Sequence, residues 1–94
     1  MFGWMKRMDR HSRLLVRMAD AVDADIAAEA AAGFGHSDSL RSMMIRCTDC
    51  QQAEACEKWL VKHENGAKAA PEFCLNGSTL KRLQRETATD MKSR

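Results

Sequence analysis

The sequence predicts an all-α domain, a small bundle of four to five short helices around a four-cysteine site. Its 94 residues include 14 alanines, five β-branched apolar residues and one proline. Alanine favours helices, whereas β-branched residues favour strands. In addition, apolar side chains recur at steps of three and four residues, which is the spacing of one buried helical face. Composition and spacing therefore both indicate helices.

The length fits a single domain over residues 1–94, with the cysteine region at 40–83 and a frayed tail at about 87–94. The core is small, because only 24 residues have large apolar side chains, so a metal or a cross-link would add useful stability. No apolar run approaches the roughly 20 residues that cross a membrane. Residues 1–10 are too charged to form the apolar region of a signal peptide. We therefore expect a cytoplasmic protein with no membrane partner.

The first helix is predicted over about residues 3–21 and has two distinct faces. The inward stripe consists of Trp4, Met8, His11, Leu15, Met18 and Val22. The outward face carries the basic residues Lys6, Arg10, Arg13 and Arg17. Such a face is typical of a solvated amphipathic helix, and it also suits contact with nucleic-acid phosphates.

A short second helix is predicted over residues 23–32, where the segment is rich in alanine and acids and Gly33 and Gly35 follow. A third helix begins after Ser37 or Asp38, with Leu40, Met43, Met44 and Cys47 facing inward. Thr48 and Gln51 have the spacing of a capping box, so the chain is expected to break near Cys50 and to start a fourth helix towards Asn65. After a loop that contains Pro71, Asn76 or Ser78 caps a last helix that turns Leu80 and Leu83 inward.

Four cysteines form the most specific pattern in the chain: Cys47, Cys50, Cys56 and the remote Cys74. In a helix, the Cβ atoms of residues i and i+3 lie about 5–6 Å apart, whereas a disulfide needs about 3.8 Å. Metal coordination tolerates the wider spacing. Structural zinc sites usually draw their ligands as two close pairs, whereas three near cysteines and one distant cysteine are typical of iron–sulfur sites. This layout favours a [4Fe–4S] cluster. The alternatives are zinc, a disulfide or redox thiols, and buried free thiols.

Four residues near these cysteines are predicted to surround the cluster. Trp59 and Phe73 would limit its contact with water. Asn76 would begin the last helix, with its first amides aimed at sulfur. Arg46, like Arg41 and Lys58, would offset the negative charge of four thiolates.

The cysteine motif resembles two known families. The string Cys47-x2-Cys50-x5-Cys56-x2-Trp59-Leu60, followed by Pro71-x-Phe73-Cys74-x-Asn76, resembles a family of short bacterial four-cysteine domains of unknown function, over about residues 40–83. The triplet with its following aromatic residue is similar to the WhiB-like regulators, in which four cysteines hold a [4Fe–4S] cluster. Those proteins place the fourth cysteine before the triplet, whereas Cys74 follows it. The resemblance implies a cluster and no transcriptional role.

We therefore expect a small [4Fe–4S] protein that acts in electron transfer or in sensing oxygen, nitric oxide or redox state, with a redox or regulatory protein as its partner. The alternative is a zinc-stapled or metal-free interaction module that binds a protein or nucleic acid through its basic first helix. An enzyme is not expected. No Gly-rich phosphate loop or dinucleotide fingerprint is present, and the three histidines have no nucleophile or acid at a telling spacing.

Overall fold

The computed structural model describes residues 2–26 and 40–92, with side chains over 3–26 and 40–88. These ranges contain four helices, α1 (Phe2–Ala21), α2 (Leu40–Asp49), α3 (Ala53–Lys62) and α4 (Gly77–Lys92), and no strand. The all-α prediction is confirmed. Most of the second helix predicted over residues 23–32 lies outside the described residues. None of the described helices combines the length and the apolar character needed to cross a membrane.

Helix α1 supplies the largest share of the core, and α2 and α3 pack against it. The core residues on α1 and just after it are Leu14, Leu15, Met18, Ala19 and Val22. The other helices contribute Met43, Cys56, Leu60, Leu80 and Leu83. Burying each large apolar side chain contributes about 1.5–3 kcal/mol, which makes this small cluster the main source of stability.

The inward stripe predicted for α1 is confirmed at His11, Leu15, Met18 and Val22, which are all buried. It is wrong at Trp4, whose side chain is 59% exposed. The hydrogen bonds that join α1 to the last turn of α2 come from Arg7 and His11, which follow Trp4 along the helix. The first turn of α1 therefore extends beyond the described elements that cover the rest of the stripe.

The predicted break near Cys50 is confirmed, because α2 ends at Asp49 and α3 begins at Ala53. The predicted capping box is wrong. Thr48 lies inside α2, where its hydroxyl donates to the Met44 carbonyl oxygen at 2.8 Å. The residue before α3 is Gln52, which makes no side-chain cap hydrogen bond. The hydroxyl finds an acceptor one turn back in its own helix, as serine and threonine often do.

Helix α3 ends at Lys62, slightly before the predicted Asn65, and the chain turns at Gly66. This residue has a φ of 102°, which glycine adopts readily. The turn lets the amide of Ala67 donate to the Ala21 carbonyl oxygen at 2.7 Å, which ties the loop to the end of α1. The loop then leads past Pro71 to α4.

Helix α4 buries Leu80 and Leu83 as predicted. The frayed tail predicted over about residues 87–94 stays a prediction, and α4 continues to Lys92. Thr87 explains part of this extension. Its hydroxyl donates to the Leu83 carbonyl oxygen at 2.7 Å and accepts from the Asp25 amide at 3.1 Å, so the chain after α1 contacts this part of α4.

Candidate metal centre

All four cysteines line one small cavity, although they come from different parts of the chain. Cys47 lies in the last turn of α2, Cys50 follows that helix, Cys56 lies on α3 and Cys74 precedes α4. The remaining wall is almost entirely apolar and consists of Leu14, Leu15, Met18, Phe73, Leu75 and Asn76. The fold thus brings together the three near cysteines and the remote one, and all four are free thiols.

The two thiols at the end of α2 have hydrogen bonds within the protein. The sulfur of Cys47 donates to the His11 carbonyl oxygen at 3.2 Å. The sulfur of Cys50 accepts from the Gln52 amide at 3.4 Å. The backbone turn between them is closed by the Cys50 amide, which donates to the Cys47 carbonyl oxygen at 3.0 Å. The bond to His11 uses the thiol proton of Cys47, and the bond from Gln52 holds the Cys50 side chain at the end of α2.

Burial makes Cys47, Cys56 and Cys74 hard to ionise. It raises the pKa of Cys47 to about 12, and the other three thiols raise it further by charge repulsion. The pKa of Cys56 rises to about 11 for the same reasons, although Arg17 opposes the rise. Burial also raises the pKa of Cys74, whereas a hydrogen bond from the Asn76 amide lowers it. A cation bound beside these three sulfurs would offset the charge of their thiolates and favour ionisation.

As thiols, the four cysteine side chains do not surround one point closely enough to bind a metal ion. Within the described residues, which include all four cysteines, no three side chains of Cys, His, Asp or Glu form a group that could hold one. The cavity volume is about 20 Å³, enough for about one water molecule. Any metal centre here would therefore require the Cys47 sulfur to leave the His11 carbonyl oxygen and the apolar wall to adjust.

The four residues predicted to surround the cysteines divide into two groups. Phe73 and Asn76 line the cavity. Trp59 does not line it, and its ring instead stacks on that of His63 with centroids 4.0 Å apart. Arg46 also lies outside the cavity wall, and its guanidinium bonds the side chains of Asn76 and Thr79. The expected aromatic cover is therefore supplied by Phe73 together with the aliphatic residues of α1.

Asn76 connects the segment of Cys74 to α2. Its side chain is 1% exposed. The amide group donates to the Met43 carbonyl oxygen at 2.8 Å, and its oxygen accepts from Arg46 Nε at 2.7 Å. The side chain thus does not cap α4 as expected, although the residue does precede that helix. The backbone amide of Asn76 lies by the Cys74 sulfur, where the sequence predicted the first amides of α4.

Two functional positions were not evident from the sequence. His11 is buried, and its Nδ1 bonds the Cys47 carbonyl oxygen. Because a carbonyl oxygen only accepts, Nδ1 carries the proton. A polar residue in an otherwise apolar stripe was the available signal. The second is Arg17, whose positive charge opposes the rise in the pKa of Cys56. The two residues are far apart in the sequence, so no local pattern indicated this interaction.

Short helices packed around four clustered thiols define the chain as a small all-α cysteine domain. Its sequence matches the model of DUF6455, a family of unknown function, over residues 3–86, and the chain belongs to that family. The predicted membership of a family of short domains of unknown function is thus confirmed. No curated protein and no solved structure matches the chain.

Proposed function

We propose that the protein holds one [4Fe–4S] cluster through Cys47, Cys50, Cys56 and Cys74 and uses it in electron transfer or in sensing oxygen, nitric oxide or redox state. The observation that carries the proposal is the shared cavity, which four cysteines from separate elements line. Every one of the six pairs among these thiols interacts electrostatically. Burial and neighbouring thiols raise the pKa of Cys47, Cys56 and Cys74, and a cationic group bound between these sulfurs would offset the cost of ionising them.

The surroundings of the cavity support a redox role. Leu14, Met18 and Phe73 provide an apolar wall, and such a wall limits water access and influences the reduction potential of a bound cluster. The spacing of the ligands supports a cluster over a single ion, since a cluster is larger and accepts sulfurs that are farther apart. A carrier would cycle without losing the cluster, whereas a sensor would lose or convert it and change its helix packing.

Zinc is the second candidate, and the cavity volume of about 20 Å³ favours it. A single ion needs less rearrangement of the apolar wall than a cluster does. In that case the zinc ion would stabilise the fold around a small core. The charged helix faces would then be the surfaces that bind a partner.

The test is the content of iron, acid-labile sulfide and zinc, with the visible spectrum, in protein purified without oxygen from iron-supplied cells. We expect about four iron and four sulfide per chain and a broad absorbance near 400 nm. One zinc without sulfide would establish the second candidate instead, and a metal-free chain with normal helical content would contradict both.

Replacing Cys74 with serine tests the ligand set, because this cysteine is the one that only the tertiary fold brings to the cavity. We expect Cys74→Ser to lose most of the bound iron, whereas Arg13→Ala, which alters an exposed side chain on α1, should keep it. Circular dichroism of both metal-free variants checks that the helices remain. Equal iron content in the two variants would remove Cys74 from the ligand set.

A further inference from the structure

A second concave site lies beside the thiol cavity. Its lining is polar and charged, whereas the wall of the thiol cavity is mostly apolar. This basic groove lies between α1 and the start of α3, with a volume of about 650 Å³. That volume is within the range of small-molecule sites, about 300–1,000 Å³. The residues that matter for its chemistry are Arg7, Arg10, His11, Cys50, Glu54 and Lys58.

The charge of the basic groove is positive. Three of its side chains are cationic and only Glu54 is anionic. Arg10 is engaged with Glu57, which lies outside the groove lining, at 3.1 Å. Arg7 uses Nε to bond the Thr48 carbonyl oxygen at 2.9 Å. Among the described residues, neither the terminal nitrogens of Arg7 nor the ammonium group of Lys58 has a bonding partner, so both can bind an anion.

His11 gives the groove a buried polar group. The residue is 4% exposed, and Nδ1 bonds the Cys47 carbonyl oxygen. Its other ring nitrogen, Nε2, makes no hydrogen bond with any residue that the structure describes. No fully buried side-chain nitrogen or oxygen of the described residues lacks a partner, so Nε2 must be accessible. It is therefore available to bond a ligand in the groove.

Cys50 connects the two concave sites. It lines both the basic groove and the thiol cavity, whereas Cys47, Cys56 and Cys74 line the cavity alone. A ligand bound in the groove therefore approaches the cysteine cluster at Cys50. The cations of Arg7 and Lys58 favour an anionic group, and Cys50 in the groove lining favours a group that reacts with a thiol. A small molecule that carries both a carboxylate and a sulfur meets both requirements.

We propose that the basic groove binds small anionic disulfides and thiols and presents their sulfur to Cys50. With a disulfide, the thiolate of Cys50 attacks one sulfur, a mixed disulfide forms on Cys50, and the other half leaves as a thiolate. The proton of Cys50 passes to solvent. A second anionic thiol reverses the step by attacking the mixed disulfide, which releases the small disulfide and restores Cys50.

This site goes beyond the proposed metal centre, because it requires only the thiol form of Cys50 and the groove cations. The two sites nevertheless share a residue. If Cys50 is a metal ligand, its mixed disulfide removes one of four ligands, and oxidised small thiols would then oppose loading of the centre.

The test compares two aromatic disulfides on the full metal-free chain, one with a carboxylate on each ring (dithionitrobenzoate) and one neutral (dipyridyl disulfide). The rate of each reaction is followed by released thiol, and mass spectrometry identifies the modified cysteine. We expect the anionic probe to modify Cys50 first. Its rate relative to the neutral probe should fall about threefold in Lys58→Gln and about tenfold in Arg7→Gln/Lys58→Gln, because local cations raise the concentration of anions.

Arg13→Gln is the matched control, since it removes the same charge from an exposed position of α1 that does not line the groove. It should retain the parent ratio. First modification at another cysteine, or the same ratio in the parent and the double variant, would overturn the proposal. Lys58→Gln keeps the test valid if loss of the Arg7 bond impairs folding.

Metal content separates this proposal from the metal centre. Lys58→Gln should bind metal at the parent level, because Lys58 is not a cysteine and, unlike Arg7, makes no hydrogen bond to the end of α2. A preparation that binds no metal and still shows the charge-dependent reaction at Cys50 would contradict only the proposed function. A normal metal content without that charge dependence would contradict only the groove.

Discussion

The two segments that bring cysteines to the cavity are held in different ways. The first segment, Cys47 to Cys50, follows the end of α2 and is bound from α1: Arg7 and His11 bond the carbonyl oxygens of Thr48 and Cys47. These carbonyls belong to the last turn of a helix, where no partner exists within the helix itself. The second segment, which carries Cys74, is held by the buried side chain of Asn76.

This difference shows which part of the site depends on local structure and which part depends on tertiary structure. The spacing of Cys47 and Cys50 comes from a helix end, so it would exist in any fold that kept α2. The position of Cys74 depends on one amide side chain that reaches another helix 33 residues away in sequence. Disturbing the second segment should therefore affect the cavity more than disturbing the first.

The largest effect is expected for Asn76→Ala. This change removes the hydrogen bonds of the Asn76 side chain with the Met43 carbonyl oxygen and Arg46 Nε, and a hydrogen bond to a charged group contributes about 1.5–3 kcal/mol. We expect the free energy of unfolding to fall by about 3 kcal/mol in urea titrations. Lys81→Ala, an exposed change on α4, should stay within about 0.5 kcal/mol. A loss that is no larger for Asn76 than for Lys81 would show that Cys74 is held by other contacts.

His11→Ala should have the next largest effect, because it removes one of the two donors to the Cys47 carbonyl oxygen, the other being the Cys50 amide, and opens a void beside α2. We expect a loss of about 2 kcal/mol in the free energy of unfolding. Asparagine can place an amide donor near the position of Nδ1, so His11→Asn should recover part of the loss. If asparagine and alanine destabilise equally, the hydrogen bond contributes little and His11 acts only by filling space.

The sequence predicted the parts of the fold that depend on local pattern. The stripe of Leu15, Met18 and Val22 and the break near Cys50 follow from helical spacing and chain signals, and the structure confirms them. The exposure of Trp4 could not be read from the same stripe, since it depends on how far α2 reaches along α1. The stacking of Trp59 on His63, rather than over the cysteines, likewise depends on the tertiary arrangement.

The candidate site shows the same limit. The cysteine pattern predicted one shared centre, and the structure gathers the four residues around one cavity. The roles of His11 and Arg17 were missed because both act across the interface between helices. The hydrogen bonds of Asn76 were missed for that reason too: a residue before a helix suggests a cap, and only the packed fold shows which carbonyl its side chain reaches.

Gln51→Ala examines the first segment further. The sequence predicted that Thr48 and Gln51 cap α3, but Thr48 bonds within α2 and Gln51 is exposed. We therefore expect a change within about 0.5 kcal/mol in the free energy of unfolding, as for other surface positions. A loss of about 1 kcal/mol, the usual contribution of a cap, would restore the capping box.

The smallest effect is expected at the ion pair between Arg10 and Glu57, which links α1 to α3 near the first segment. A hydrogen bond from Arg10 lowers the pKa of Glu57. Because the folded pKa lies below the unfolded value of about 4.3, the pair stabilises the fold above that pH. Its contribution is then lost as the pH falls through the folded pKa.

Glu57→Gln should therefore be slightly less stable than the parent at neutral pH, and the difference should vanish in acid and shrink in high salt, as for other exposed pairs. The measurement is the free energy of unfolding as a function of pH, with Glu72→Gln in the exposed loop as the control for loss of a carboxylate. A difference that grows as the pH falls would have the wrong sign for a carboxylate with a lowered pKa. Such a result would show that apolar packing alone, and not the ion pair, stabilises the contact between α1 and α3.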